Sequence, residues 1–338
     1  MEYFTTTSNA ARRAADCVIV GVYERGKLAA GATDIDGASK GHLASLIKSG
    51  DVSAAPGRCV VLAGVPGVRA KRVAAVGLGK VSRFDARVYR KAIAAAVTAL
   101  DGSKTGKILN TLTLEDTRGS SPYYLARHAV EVLGDTLYRF NEMKSGRKKR
   151  PMPLTSFGHS IAKRGDAAKV MRGSRHGDGI ANGVRLAKDL GNLPANVCTP
   201  SYLARTAKKL AAGNGKLTTS ILNEAEMKKL GMGSLLSVTA GTVEPAKLIV
   251  MKYRGADSDK PVVLVGKGVT FDTGGISLKP GPAMDEMKFD MCGAAGVIGT
   301  MAAVASMKLP INLNVVVPAV ENMPSGKATK PGDIVKSM

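Results

Sequence analysis

The chain has 338 residues, of which 44% are hydrophobic, and a formal net charge of +22. Its length allows about two domains of roughly 150 residues each, and its composition is that of a packed protein rather than of a fibrous or disordered one. The positive charge favours contact with polyanions or anionic surfaces and carries no information about the fold.

Several classes of protein are excluded by short-range patterns. The N-terminal sequence lacks the basic head and apolar run of a secretory signal, and no later window approaches ~20 uninterrupted apolar residues. We therefore expect a cytoplasmic protein without a membrane partner. The four cysteines form no CxxC pair and the four histidines no HxxxH pair, so a disulfide framework is excluded and any metal must be held largely by other ligands.

The first part of the chain alternates strand-like and helix-like patterns. Strands are predicted where apolar runs occur, at 17–23, 59–65 and 72–80, and helices where apolar residues recur with helical spacing, at 84–100 and 122–143. This alternation predicts an α/β layer with a mainly parallel sheet.

A basic segment follows. From Lys144 to Arg175 ten lysines and arginines face one acid, Asp166, which predicts a linker with a basic surface. Such a density of charge also suits nucleic acid, with Lys148, Lys149 and Arg150 as the candidate contacts. A solvated linker face is the alternative and the favoured interpretation, because neither interleaved aromatic residues nor a known DNA-reading motif accompanies the charge.

The rest of the chain repeats the α/β theme. Two helical patterns separated by a proline-containing turn occupy 176–213. Strands are then predicted at 217–222, 246–253, 261–268 and 313–320, and helices at 224–238 and 292–308. Near-continuous apolar strands are typical of sheets covered on both faces, whose ligands gather at the carboxyl ends of the strands.

Charged residues are concentrated at one such strand end, in "VGKGVTFDTGGISLKPGPAMDEMKFDMCGAA" (265–295). Asp272 follows the predicted strand, and Asp290 opens a Gly/Ala-rich helix. Two carboxylates that meet there repel each other unless one is protonated or a cation lies between them. Lys267 and Lys279 flank the same turn, so a metal site and a set of surface ion pairs are both consistent with these residues.

This segment closely resembles the leucyl aminopeptidase family, the cytosolic dizinc exopeptidases called aminopeptidase A in bacteria. "NLPANVCTP" and "EPAKLIVMKY" upstream, and "ENMPSGKATKPGDIVKSM" downstream, resemble the same family in the same order. The resemblance is continuous from about Asn192 onward and looser across the first 150 residues. It implies an N-terminal α/β domain (1–145), a basic linker and connecting helix (146–190), and a partial α/β catalytic metallopeptidase domain (191–338) with mainly parallel mixed sheets.

The resemblance assigns a role to each charged residue of the motif. It implies that Lys267, Asp272 and Asp290 are metal ligands, with Asp272 bridging two ions. Lys279 is similar to the family's catalytic lysine, which polarises the scissile carbonyl and stabilises the oxyanion. Met287 matches a side chain that lines the substrate's first pocket.

The resemblance also implies cofactors, substrate and assembly. Two divalent ions, zinc or manganese, would activate a bridging water for attack on peptides, with release of N-terminal residues such as leucine. A bicarbonate would serve as general base, and six subunits would form a hexamer. Metal identity and residue preference stay open.

One family motif is not present in the sequence. "NTDAEGR", which supplies two further metal ligands and the arginine that holds bicarbonate, follows "PGDIVKSM" in the family, whereas this sequence stops at Met338. We expect a fragment of an active enzyme that is inactive alone. The alternative is a genuine short product with a poorly covered sheet edge in its second half. A rival function is a basic DNA-binding architectural protein that retains a non-catalytic peptidase remnant.

Overall fold

The strands predicted at 17–23, 59–65 and 72–80 are confirmed in the computed structural model of the chain, which describes residues 1–146, 152–257 and 260–338. The chain divides into two units. The first comprises Met1–Arg139 with Ser145–Ala181, and the second Phe140–Lys144 with Asn182–Met338.

In the described part of the first unit, one sheet contains six strands: β1 (Glu2–Thr6), β2 (Cys17–Tyr23), β3 (Cys59–Ala63), β4 (Arg72–Gly79), β5 (Lys107–Asn110) and β6 (Ser156–Ser160). Their order across the sheet is β1-β6-β5-β2-β4-β3. Neighbours are parallel except for β3, which runs antiparallel to β4. The predicted parallel α/β layer is therefore confirmed.

Helices cover both faces of this sheet: α1 (Ala30–Ala38), α2 (His42–Ser49), α3 (Ala86–Leu100) and α4 (Pro122–Thr136). Alternate residues of β2 enter two cores, because successive side chains of a strand point to opposite faces. Cys17 and Ile19 pack with α3 and α4, whereas Val18 and Val20 pack with α1 and α2. All seven residues of β2 are buried, which explains its unbroken apolar sequence.

The segment predicted as linker and connecting helix contains a strand. β6 lies between β1 and β5 and is buried along its length, and helix α5 (Ala167–Asn192) begins soon afterwards. The sequence "SFGHS" carries a single large apolar residue, Phe157, so its composition does not indicate a central strand. Along the chain, the first unit ends at Ala181 and the second resumes at Asn182, so the boundary lies within the residues of α5.

In the described part of the second unit, five strands form a mixed sheet: β7 (Leu217–Leu222), β8 (Lys247–Arg254), β9 (Val262–Val265), β10 (Gly268–Asp272) and β11 (Asn312–Asn322). β11 is antiparallel to β8 on one side and parallel on the other, first to β9 and then to β10. β7 is antiparallel to β8. The long strand β11 thus places the end of β10 beside its own carboxyl end.

Helices α6 (Pro200–Ala211), α7 (Glu224–Lys229), α8 (Gly233–Val238) and α9 (Cys292–Met307) flank this sheet. The larger core contains α6, α9 and the end of α5, and a smaller cluster lies under α7 and α8. Helix α6 begins at Pro200, because the Thr199 hydroxyl caps the first turn and Pro200 occupies a position that needs no N–H donor.

One stretch of the described residues, Met284–Met307, is long and apolar enough by length and composition to cross a membrane. Half of its apolar window is buried inside the protein. Ile298 and Met301 lie in the larger core of the second unit, and a buried core helix has this composition as well.

The β9 strand presents apolar side chains to solvent. Val262, Val263 and Val265 are each more than half exposed, although their sequence is typical of a strand buried on both faces. These side chains form an apolar surface on β9.

A buried histidine is expected to make the stability of the first unit depend on pH. His159 on β6 is fully buried beside Phe157 and Asn110, and burial lowers its pKa from 6.5 to about 3. Between about pH 6.5 and pH 3, His159 is therefore neutral in the folded protein and protonated in the unfolded chain. The unfolding free energy should fall in this window as pH falls, by up to about 1.4 kcal/mol per pH unit.

Urea unfolding at pH 7, 6 and 5 checks this expectation. His159→Gln should flatten the pH dependence, whereas His42→Gln, at an exposed position, should leave it unchanged. An equal slope in the native chain and in His159→Gln would contradict the assignment.

Candidate metal centre

Lys267 lies at the junction between β9 and β10, where the chain passes close to the start of α9. Its carbonyl accepts a hydrogen bond from the N–H of Ala294 at 2.8 Å. A Cβ at Gly266 would lie 2.6 Å from the carbonyl oxygen of Gly293, so only glycine fits at 266. The missing side chain of Gly266 therefore allows the chain between β9 and β10 to approach the helix that follows Asp290.

Asp272 is the last residue of β10, and two glycines turn the chain directly after it. Gly274 and Gly275 have φ values of 88° and 69°, in the left-handed region that favours glycine. Asp272 Oδ1 accepts hydrogen bonds from the N–H of Gly274 at 3.0 Å and from Nδ2 of Asn322 at 2.8 Å. The predicted tight bend is confirmed, and Asp272 is on a second strand, β10, rather than at the end of the strand predicted at 261–268.

A short helical segment, Met284–Met291, carries Met287 and Asp290 just before α9. Residues three apart in a 3₁₀ turn lie on the same side, so Met287 and Asp290 share a face. Nζ of Lys279 lies 3.0 Å from Sδ of Met287 and donates to Oδ2 of Asp272 at 2.6 Å. Nζ of Lys267 donates to Oδ1 of Asp290 at 2.7 Å. The five predicted residues thus form two contact groups, Lys279 with Asp272 and Met287, and Lys267 with Asp290, and the segment Met284–Met291 contributes one residue to each.

The two carboxylates differ in how completely they are satisfied. Burial alone would raise the pKa of Asp272, but hydrogen bonds from Lys279, Gly274 and Asn322 lower it below its usual range. Asp272 is therefore held as a carboxylate. Oδ2 of Asp290 is buried and has no hydrogen-bond partner among the described residues. A carboxylate oxygen in this state is costly unless a further partner reaches it.

The donor set fits a divalent metal in part. Among the residues that the structure describes, no group of three or more histidine, cysteine, aspartate or glutamate side chains could hold an ion. The donors present are the carboxylates of Asp272 and Asp290 and the amine of Lys267, which is a ligand only without its proton. Oxygen donors of this kind suit manganese or zinc, and the unpartnered Oδ2 of Asp290 is an available ligand atom.

Asn322 was not predicted from the sequence. It ends β11 beside β10, and its amide orients Asp272. The available signal was its position at the carboxyl end of a predicted strand next to the motif. The nucleic-acid candidates Lys148, Lys149 and Arg150 lie outside the described residues.

Fold and site together define a class: a two-unit α/β protein whose second unit carries paired carboxylates and lysines at a strand end. Family models give the same division. The N-terminal domain of the cytosol aminopeptidase family matches residues 19–147, and the catalytic domain of that family matches residues 185–338. The chain belongs to the cytosol aminopeptidase family.

Curated relatives cover the whole chain. It is 45% identical over 339 residues to a probable cytosol aminopeptidase of Methylobacillus flagellatus, a match that covers 100% of this chain and 68% of the relative. It is 49% identical over 324 residues to a probable cytosol aminopeptidase of Paraburkholderia xenovorans, covering 96% and 63%. The chain thus spans about two thirds of the length of the relatives it matches.

Solved structures show the same fold. A mutant of tomato leucine aminopeptidase aligns with a TM-score of 0.83 at 27% identity, covering 99% of this chain and 65% of that one. The bottromycin maturation enzyme BotP in complex with Mn aligns with a TM-score of 0.77 at 32% identity, covering 95% and 63%.

Proposed function

We propose that the protein to which this chain belongs is a metal-dependent aminopeptidase that releases N-terminal residues, with a leucine-type preference, from peptides. Membership of the cytosol aminopeptidase family supports the reaction class. The observation that carries the proposal is the buried Oδ2 of Asp290, which has no partner among the described residues although Lys267 binds its neighbour Oδ1. An ion pair alone leaves that oxygen unsatisfied, whereas a shared cation satisfies it.

In this proposal Lys267, Asp272 and Asp290 would hold two divalent ions. Zinc or manganese bound there supplies Lewis acidity and lowers the pKa of a water molecule. Lys267 must give up its proton and its ion pair with Asp290 to become a ligand. Asn322, which donates to Oδ1 of Asp272, would orient this carboxylate toward the ions.

Lys279 has a different role in the reaction. Its ammonium group, now 2.6 Å from Asp272, is placed beside Met287 in the same cluster. A cation at this position donates to the oxygen that gains negative charge as the peptide carbonyl is attacked. Met287 lines the pocket for the first side chain of the peptide.

The finer features of the proposal concern the whole protein. They are a bicarbonate as general base, a homo-hexamer, a cytoplasmic location without a membrane partner, and a domain division at 1–145, 146–190 and 191–338. The family resemblance supports these features.

Hydrolysis of leucine p-nitroanilide during zinc or manganese titration tests the reaction. It is measured on the chain as given and on a form extended through the family's "NTDAEGR" motif. We expect metal-dependent turnover in the extended form and little in the chain alone, because the chain supplies only part of the metal shell. Absence of metal-dependent turnover in the extended form would refute the aminopeptidase proposal.

DNA binding is a second candidate, favoured by the net charge of +22 and by a row of exposed basic residues on the first unit: Lys163, Arg164, Lys169, Arg172 and Arg175. Phosphate contacts predict an affinity for duplex DNA that falls steeply with salt. Charge reversal at Lys148 and Arg150 should weaken it. An affinity unchanged by this reversal would exclude these two residues as the contact.

A further inference from the structure

The first unit contains a cavity of about 380 Å³ that is remote in sequence from the charged motif and has a basic lining. It is formed by Ser82, Arg83, Asp85, Arg87, Val88 and Arg118. The volume lies within the range of small-molecule sites. Guanidinium groups match the oxygens of a phosphate group, often with two parallel hydrogen bonds. We propose that this cavity binds a small molecule through a phosphate or pyrophosphate group.

The guanidinium groups of the cavity are available to a ligand. In the part of the chain that the structure describes, the guanidinium groups of Arg83, Arg87 and Arg118 have no hydrogen-bond or ion-pair partner. The one acid in the lining is Asp85, whose Oδ1 caps α3 by accepting from the N–H of Val88 at 2.9 Å. Three positive charges therefore face one carboxylate that is already engaged.

The same arginines oppose the dipole of α3. Arg87 lies in the first turn of this helix and Arg83 just before it, at the end where the helix carries partial positive charge. Cations at this end are unfavourable unless an anion joins them. A concave surface with this charge concentrates a positive potential on the space that a ligand would occupy.

The cavity lies where ligands gather in sheets of this kind. Arg83 follows β4 and Arg118 follows β5, so both loops leave the carboxyl ends of parallel strands. In the sheet β2 lies between β4 and β5. After β2 the chain continues to β3 and β4 on one side of the sheet, whereas after β5 it continues to β6 on the other side. Neighbouring strands that connect in opposite directions create a crevice at their carboxyl ends.

Tyr23, at the end of β2, contacts both loops. Its ring packs edge to face on Phe84, at 5.7 Å between centroids, and its hydroxyl donates to Oε2 of Glu115 at 2.9 Å. Phe84 lies next to Arg83, and Glu115 lies three residues before Arg118. Arg118 itself has a φ of 52°, a costly conformation for a residue other than glycine. Phe84 and Glu115 thus anchor the two loops that carry Arg83 and Arg118 to the end of β2.

Calorimetric titration of the metal-free chain with pyrophosphate, inorganic phosphate and adenosine monophosphate, in a low-salt buffer without phosphate, tests the proposal. We expect one saturable site for pyrophosphate, with sulfate as a competitor. The double variant Arg83→Gln/Arg118→Gln should weaken binding by about tenfold for each arginine removed. Arg118→Lys should retain part of the affinity, since the charge remains.

Arg69→Gln is the matched control. Arg69 is exposed and precedes β4, so it lies at the opposite end of an eight-residue strand, about 25 Å from the cavity. Its affinity should equal that of the native chain. Tighter binding of the nucleotide than of phosphate would assign the anion to a nucleotide, and equal binding would assign it to free phosphate.

Two results would overturn the proposal. One is no saturable binding of any of the three anions at millimolar concentration. The other is an equal loss in Arg69→Gln and in the double variant, which would show attraction to the overall charge. Unchanged thermal unfolding of Arg118→Lys and of the double variant establishes that lost affinity reflects the cavity and not the fold.

Discussion

Replacement of Asp272 by asparagine should lower the affinity of the protein for zinc or manganese by more than about 100-fold and should abolish turnover. The carboxylate ends β10, is held in its charged form by Lys279 and Asn322, and is proposed to be shared by both ions. Changes to groups that merely orient a ligand typically cost about 10- to 100-fold in metal affinity, and loss of the shared ligand removes more. Metal titration by calorimetry on the chain, and peptide hydrolysis by the extended form, measure both effects.

Asp285→Asn is the control for this experiment. Asp285 is an exposed acid in the segment Met284–Met291 and outside the proposed ligand set. The same change of charge there should leave metal affinity within about threefold, as expected for a screened surface charge. Equal metal affinity in Asp272→Asn and the native protein would remove Asp272 from the site.

Lys279→Met should separate catalysis from metal binding. Methionine keeps most of the side-chain volume and removes the donor that we assign to the developing oxyanion. Loss of one such donor typically lowers kcat by about 10² to 10³. Metal content should stay close to that of the native protein, because Lys279 is not among the proposed ligands and its removal frees Oδ2 of Asp272.

The control is Lys288→Met, in which the lost ammonium lies over the ring of Phe289, at 4.8 Å, rather than against a carboxylate. We expect its kcat to change by less than about threefold, because a partly exposed cation–π contact is worth little. If Lys279→Met kept native kcat, or lost its metal together with its activity, the assigned role of Lys279 would be wrong.

The sheet strands with the most apolar sequences were predictable, and those with mixed sequences were not. β2 and β4 are buried on both faces and have apolar sequences. β8 and β11 contain apolar runs as well, but each is fully buried mainly on one face. β6 is as fully buried as β2 but contains serine, glycine and histidine. It pairs with β1 and β5 on its two sides, and Phe157 is its one residue in the apolar core of the first unit. Burial of this kind depends on partners far away in sequence.

The motif around the site was predictable as a set of residues, and its pairing was not. Lys267 binds Asp290 across 23 positions, and Lys279 binds Asp272 across seven. These contacts form because β10 and the segment Met284–Met291 pack together, and because the missing side chain of Gly266 allows the chain to approach the start of α9. Asn322 reaches Asp272 through the register of β10 and β11, which sequence patterns do not specify.

In the proposed site the carboxylates of Asp272 and Asp290 share divalent metal and do not merely pair with lysines. Anomalous difference density from crystals of the chain grown with manganese distinguishes these two arrangements. We predict a peak beside Oδ2 of Asp290 and the carboxylate of Asp272, with Lys267 turned from Asp290 toward the metal. Crystals that bind manganese elsewhere, with both lysine–aspartate pairs intact, would contradict the claim.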